Sequence, residues 1–434
     1  MPDEARPRAR APRRSRVVDL RPGEGAAALL AFAYFFALLC GYYVLRPLRE
    51  EMGIRGGVEN LPWNFTATLL AMVAALPLYS ALVARLPRAR AVPLVYRFFL
   101  ANLVGFYVLV RLGVAPPGVA RAFFVWVSVY NLFVVSVFWS FLADLFTSDQ
   151  AKRLFGFVAA GGSAGALAGP AFAALLAGTL GVANLLLASA VLLELSTQAA
   201  LGLVRWSRAS GASEARARES RDDPGGEPLG GGPFGGIGPV FRDRYLAGIA
   251  TQMLLFTLGS TLLYVHTARL VAAAIPDSAR RTALFASVDF AVNVAALLTQ
   301  SLATGALMAR LGLGAALALV PVLSAVGFAL AAAWPAFLLL AALQALRRAA
   351  SYAVEKPARE VLFTVVTREE KYKSKAFIDT VVYRAGDAGS AWLAQGLAAA
   401  GVGVGASMMA GVPFGVLGLA LAAWLAREQR AREG

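Results

Sequence analysis

Arginines, lysines and aspartates stand inside stretches of this chain that are otherwise apolar enough to cross a bilayer. Ionisable groups in such places are expensive, so they pair with one another or line a polar pathway. KAFIDTVVYRAGDAG carries Asp379, Arg384 and Asp387 within one apolar segment. Arg384 and Asp387 are three residues apart, so on a helix they share a face and can pair, with Asp379 offset beside them. An ion pair that fastens helices and a polar site on a substrate path both fit this spacing. LRPLREE places Arg46, Arg49 and Glu50 at the mouth of the first apolar run, with Pro47 expected to bend it. The two arginines project from one face and either snorkel to an interface or reach a cavity.

Further polar groups follow the same logic. Asn131, Trp139 and Asp144 make the fourth run unusually polar for a lipid-facing helix. Asp289 and Asn293 lie four apart in the eighth run. Arg347 and Arg348 in the tenth run point in directions about 100° apart, so they do not share one partner. Pairing with Asp289 or Glu355 and binding of an anion are both open to them. Arg359 and Lys375 flank a charged connection, and Lys375 is expected to stand free at the entrance, where it could meet a phosphate. Guanidinium forks match phosphate oxygens, and Tyr42, Tyr43, Trp139 or Tyr383 could stack a base. A positive interior of this kind suits an anionic solute. Asp144, Asp289 or Asp387 would instead serve as ion-pair partners, and any of these or Asp379 as the titrating group of a proton-coupled carrier.

Other chemistry is excluded. One cysteine, Cys40, and one histidine, His266, leave no metal or haem constellation, and no nucleophile, metal set or acid–base pair suggests an enzyme. No cofactor is expected. The formal net charge of +15 would suit nucleic acid in a soluble protein. Here most Lys and Arg fall on alternate connections, the positive-inside pattern, so no nucleic-acid partner is expected.

The elements that must position these groups are transmembrane helices. The chain of 434 residues is 58% hydrophobic and only 15% charged, far below a soluble domain. Continuous apolar runs of about 20 residues exclude barrel strands. Twelve spans are expected, over 25–46, 61–85, 92–114, 117–146, 153–178, 180–204, 245–270, 281–309, 312–333, 335–356, 375–399 and 402–426. They group into a basic, disordered tail (1–24), a six-helix half (25–204), a linker (205–244), a second half (245–426) and a basic tail (427–434). Gly161, Gly165 and Gly169 repeat every four residues, which reads as close helix packing rather than a phosphate loop. The linker is too short for an ATPase module. ALVARL at 81–86 recurs as ALMARL at 306–311, and Thr147-Ser148-Asp149 parallels Thr367-Arg368-Glu369, offsets of about 220–225 residues. Two such halves are the plan of the major facilitator type, an all-α integral membrane fold with its site between the halves. The expected setting is a bacterial inner membrane, with both termini and the linker cytoplasmic and the chain a monomer in the lipid bilayer.

The signatures also resemble those of the bacterial and plastid ATP/ADP translocases. Leu45-Arg46-Pro47-Leu48-Arg49-Glu50 is similar to that family's Leu-Arg-x-Leu-Lys-Asp, and Arg359-Glu360 to its Lys-Glu pair. Lys373-Ser374-Lys375-Ala376-Phe377-Ile378-Asp379, with Arg384 downstream, resembles its Lys-Gly-Lys-Ala-x-Ile-Asp run. Phe138-Trp139 and Asp149-Gln150-Ala151-Lys152-Arg153 add to the likeness, while Asn131 stands where the family often has Glu. The resemblance implies a secondary transporter that works by alternating access and exchanges nucleotides or related phosphorylated anions. The other reading is a proton-coupled facilitator for a different small solute.

Overall fold

A computed structural model describes residues 20–85, 88–114, 116–210 and 235–433, without the side chains of 79–85, 88 and 89. The basic tail before residue 20, the arginine turn at 86–87 and most of the central linker lie outside the described residues. The elements are helical throughout this part. α1 (Gly25–Arg55), α2 (Leu61–Arg85), α3 (Arg88–Leu112) and α4 (Pro116–Leu145) come first. The helical run Ser148–Ala209 is broken at Gly181, whose φ of +74° an L side chain would resist, and so divides into α5 (148–180) and α6 (182–209).

The second half repeats the plan. α7 (Arg244–Ala274) and α8 (Ser278–Leu302) precede Thr304–Ala333, which Gly312 breaks at φ +79°, leaving α9 as 313–333. α10 runs from Phe337–Ala350 through a π-helical turn, Ser351–Glu355, into Lys356–Leu362. α11 runs from Arg368–Phe377 through a second π turn, Ile378–Val382, into Tyr383–Ala399. α12 (Val412–Glu433) follows a short helix, Val404–Met409. Ten described helices are long and apolar enough to cross a bilayer. The break at Gly181 and the charged α11 bring the number to the twelve expected.

The repeat has a physical counterpart. Thr147 and Thr367 each accept a hydrogen bond from the backbone three residues on, and Gln150 or Glu370 reaches back. Reciprocal capping boxes therefore start α5 and α11, corresponding helices of the two halves.

Three boundaries differ from expectation. α1 does not stop at residue 46 but continues through Pro47 to Arg55, so its arginines lie well inside the bundle rather than at a mouth. Charged side chains after a proline look like a helix end. Here their partners on α8 keep them folded inside the protein. α10 likewise passes Pro357, which cannot bond the carbonyl four residues back. The Thr304 hydroxyl donates to that carbonyl, Ala353 O, at 2.8 Å instead. The chain after 426, expected as a basic tail beyond the last span, continues α12, and Arg432 pairs with Asp243 at 2.8 Å.

The three α5 glycines pack α1 onto α5. A Cβ on Gly161, Gly165 or Gly169 would lie 2.4–2.5 Å from the carbonyl oxygens of Phe32, Phe36 and Cys40 respectively, one α1 turn per glycine. Without a strong hydrophobic force between helices in lipid, such backbone approach is what holds a pair together. Gly165→Ala is accordingly expected to cost about 1–3 kcal/mol by overpacking, read as a lower unfolding temperature of the detergent-solubilised protein. An unchanged temperature would mean that α1 and α5 separate without cost.

Candidate functional site

Polar side chains meet between the halves in two adjoining chambers, of about 380 and 910 Å³. Arg46, Arg49, Lys356 and Arg384 line both chambers, together with Glu50 and Asp379. Arg347, Arg348, Arg359, Asp289 and Asp387 line the smaller one, and Asn131 and Glu360 the larger. Both π turns face this space, through Ser351 and Tyr352 on α10 and Asp379 on α11. Extra residues of this kind re-aim side chains within a helix and recur at functional positions.

The pairings can be read group by group. Arg46 Nη2 donates to the Tyr352 phenol at 2.9 Å and its Nε lies 3.6 Å from Asp289. Arg49 donates to Glu50 at 2.9 Å and stands over the Phe124 ring, 3.8 Å from its centroid. Arg348, not Arg347, takes Asp289, at 2.5 Å. Arg347 is 2% exposed and reaches inward, where its Nε donates to Ser324 Oγ at 2.8 Å and Phe256 and Phe328 flank it. Arg359 lies 3.6 Å from Asp379 and 3.9 Å from Glu355. Arg384 donates to Asp387 at 3.1 Å, as the spacing predicted, and the Thr261 hydroxyl donates to the other carboxylate oxygen at 2.6 Å.

Three expected positions stand elsewhere. Lys375 is not a free entrance cation: both Glu360 oxygens hold it, at 2.5 and 2.6 Å, and it lines neither chamber. Trp139 is packed edge-on against Phe35, Phe138 and Phe155 within the first half. Asp144 is exposed, away from both chambers. The single histidine, His266, is buried outside both chambers as well.

Lys356 is the residue the sequence reading missed. It is exposed, lines both chambers, and pairs with no carboxylate among the described residues. Arg348, Tyr352 and Lys356 follow one another at intervals of four within the expected span 335–356, a signal the sequence carried.

Ion pairs also distinguish the two ends of the bundle. Two ion pairs among the described residues cross between the halves: Arg46–Asp289, and Arg281 with Glu51. Glu51 is fully buried; Arg281 donates to both its oxygens, at 2.5 and 2.8 Å, and Ser278 adds a bond of 2.6 Å. Arg281 also donates to Ile275 O and Pro276 O, tying α1 to the α7–α8 connection. At this same end Trp392 Nε1 donates to Thr66 Oγ1 at 3.0 Å, and Ile54, Leu61 and Phe65 share one apolar cluster with Leu262 and Val265. At the opposite end the described ion pairs stay within a half, as in Glu24–Arg153 and Arg432–Asp243.

Glu24, just before α1, shows what such a pair contributes. Its bidentate bonds from Arg153, at 2.7 and 2.8 Å, lower its pKa from 4.5 to about 2. A lowered carboxylate pKa contributes stability that is fully present above 4.5 and is lost as pH falls through about 2. The gap in unfolding temperature between wild type and Glu24→Gln should therefore be constant above about pH 5 and close as the pH falls towards 2. A gap independent of pH would assign the loss to packing.

No family model and no curated protein matches this chain. Solved structures match it over nearly their whole length. A bacterial homologue of the iron transporter ferroportin, in an inward-facing state, aligns with a TM-score of 0.64 at 11% identity, over 93% of this chain and 98% of that one. The nucleoside transporter NupG aligns at 0.61 and 11%, over 93% and 98%. A bacterial homologue of the human lysosomal transporter Spinster, inward-facing and unoccupied, aligns at 0.57 and 13%, over 95% and 99%. The likeness is one of fold. The chain is a multi-pass, all-helical membrane protein that shares the fold of these transporters.

Proposed function

We propose that the chain is a secondary transporter that works by alternating access and exchanges nucleotides of the ATP/ADP type, or related phosphorylated anions. The observation that carries this reading is the charge of the space between the halves. Seven cations line it: Arg46, Arg49, Lys356 and Arg384 in both chambers, with Arg347, Arg348 and Arg359 in one. Five carboxylates oppose them: Glu50, Asp379, Asp289, Asp387 and Glu360. A low-dielectric cavity with more cations than anions favours an anionic occupant and disfavours a cationic one. Tyr42, Tyr43 and Tyr383 on its wall offer faces for a base. Halves tied at one end, with a polar space beside the tie, suit a carrier that rocks about a central site. The translocase-like signatures support the nucleotide, and the expected setting remains a bacterial inner membrane with cytoplasmic termini.

One observation favours a proton-coupled carrier of another solute. Glu355 is 1% exposed, bonded by Ser351 at 2.8 Å, and the cation paired with it among the described residues, Arg359, is 3.9 Å away. The experiment is counterflow in proteoliposomes loaded with unlabelled ADP. Uptake of labelled ATP without a pH gradient supports exchange, whereas uptake that appears only with a gradient supports the proton-coupled reading. Uptake of neither kind across a panel of organic phosphates would overturn the phosphorylated-anion reading.

A further inference from the structure

We infer that Asp289 is an internal counter-ion that the substrate's anionic group displaces from Arg46, so that filling the cavity undoes the mid-depth ion pair between the halves. The inference rests on the anion-exchange reading above. It starts from an asymmetry. Asp289, on α8, is 3% exposed and serves two guanidinium groups unequally. Arg348 of its own half holds Oδ1 at 2.5 Å, while Arg46 of the other half stands 3.6 Å from Oδ2, too far for a hydrogen bond. Oδ2 is buried and accepts no hydrogen bond among the described residues.

Arg46 is equally underused. A guanidinium has five N–H donors, and the described bond from this one goes to a phenol, Tyr352. The rings of Tyr43 and Tyr352 flank it at 5.7 and 6.0 Å. A phosphate oxygen could take the same donors in charge-assisted bonds of about 2.7–2.9 Å, much closer than the present pair. The exchange of partners strands no charge, because Asp289 stays paired with Arg348. Losing a partner is the costly event for a buried ion, and here neither ion loses its last one. Once Arg46 has turned to the substrate, the Arg281–Glu51 contact is the remaining described ion pair across the halves. Asp289 thus adds an ion pair to the contacts that hold the empty carrier together, and yields it when cargo arrives.

Pyrophosphate binding to the purified protein, followed by calorimetry, tests this together with the distance distribution between spin labels on the two halves at the unpaired end. Asp289→Asn removes the competitor. It is expected to bind pyrophosphate about tenfold more tightly and, without ligand, to show the distances that wild type shows only with pyrophosphate. Loss of any cavity carboxylate would favour an anion, so the ligand-free distances decide between displacement and plain charge. Asp289→Glu should behave as wild type. Tyr352→Phe works in the opposite sense: relieved of the phenol, Arg46 closes on Asp289, and binding weakens severalfold. Tyr352→Phe also decides the matter should Asp289→Asn not fold. The inference is overturned if Asp289→Asn keeps wild-type distances, or if Tyr352→Phe leaves affinity unchanged. A wild type that binds neither pyrophosphate nor ATP removes the anion reading itself, and this inference with it.

Discussion

Arg281→Gln is expected to destabilise the protein by about 3–5 kcal/mol, the usual result of stripping one partner from a buried ion pair. Glu51 is wholly buried and would keep only the Ser278 hydroxyl, while the carbonyls of Ile275 and Pro276 would lose a donor as well. A purely hydrophobic clamp at this end would behave differently. Glu51→Leu with Arg281→Met replaces the pair by apolar groups of similar bulk, an exchange that is often neutral or better. Most of the lost stability should therefore return in the double variant, measured as the unfolding temperature in detergent. Transport should not return, because an apolar contact lacks the pair's all-or-none geometry and the carrier would no longer hold a defined closed end. A double variant as unstable as Arg281→Gln would show that the loss lies in the α7–α8 connection rather than in the stranded carboxylate.

The same contact shows where the sequence stops informing. Glu51 and Arg281 are 230 positions apart, and nothing local to either announces the other. The spans were legible because about 20 apolar residues in a row have few alternatives in a bilayer. The duplication was legible from short echoes, and the capping boxes at Thr147 and Thr367 give one of them a structural meaning. The Arg384–Asp387 pair was legible because three residues on a helix fix the distance. Pairing across helices was not: Arg348 rather than Arg347 meets Asp289, and adjacent arginines cannot be told apart until α8 and α9 are in place.

Helix ends misled for a related reason. Charge and proline after an apolar run ordinarily mark an exit from the membrane. At Pro47 and Pro357 the other elements supply what the helix lacks, Arg281 for Glu51 and the Thr304 hydroxyl for Ala353 O. These tertiary contacts turned two apparent interfaces into the walls of the cavity. Lys375 and Lys356 changed places as a result, one neutralised by Glu360 and the other left facing the space between the halves.

That exchange of roles leads to the second large effect, which concerns function and not stability. Lys356→Gln should weaken binding of ATP or pyrophosphate by one to two orders of magnitude, given about 1.5–3 kcal/mol for a hydrogen bond to a charged group. Lys356 is exposed and unpaired among the described residues, so its removal strands no partner and should leave the stability within about 0.5 kcal/mol of wild type. Lys375→Gln should do the reverse on a smaller scale. Its partner Glu360 and Lys375 itself are both partly exposed, so the lost pair costs at most about 1 kcal/mol. Glu360, freed in that variant, lines the larger chamber and would add an uncompensated negative charge there. Binding should then fall by a few-fold through repulsion and recover when ionic strength is raised, since salt screens an exposed charge. The Lys356→Gln defect should not recover, because a missing donor is not restored by screening. If instead salt rescues Lys356→Gln and leaves Lys375→Gln unchanged, Lys375 is the group that meets the phosphate, and the free lysine of α10 serves only the field of the cavity.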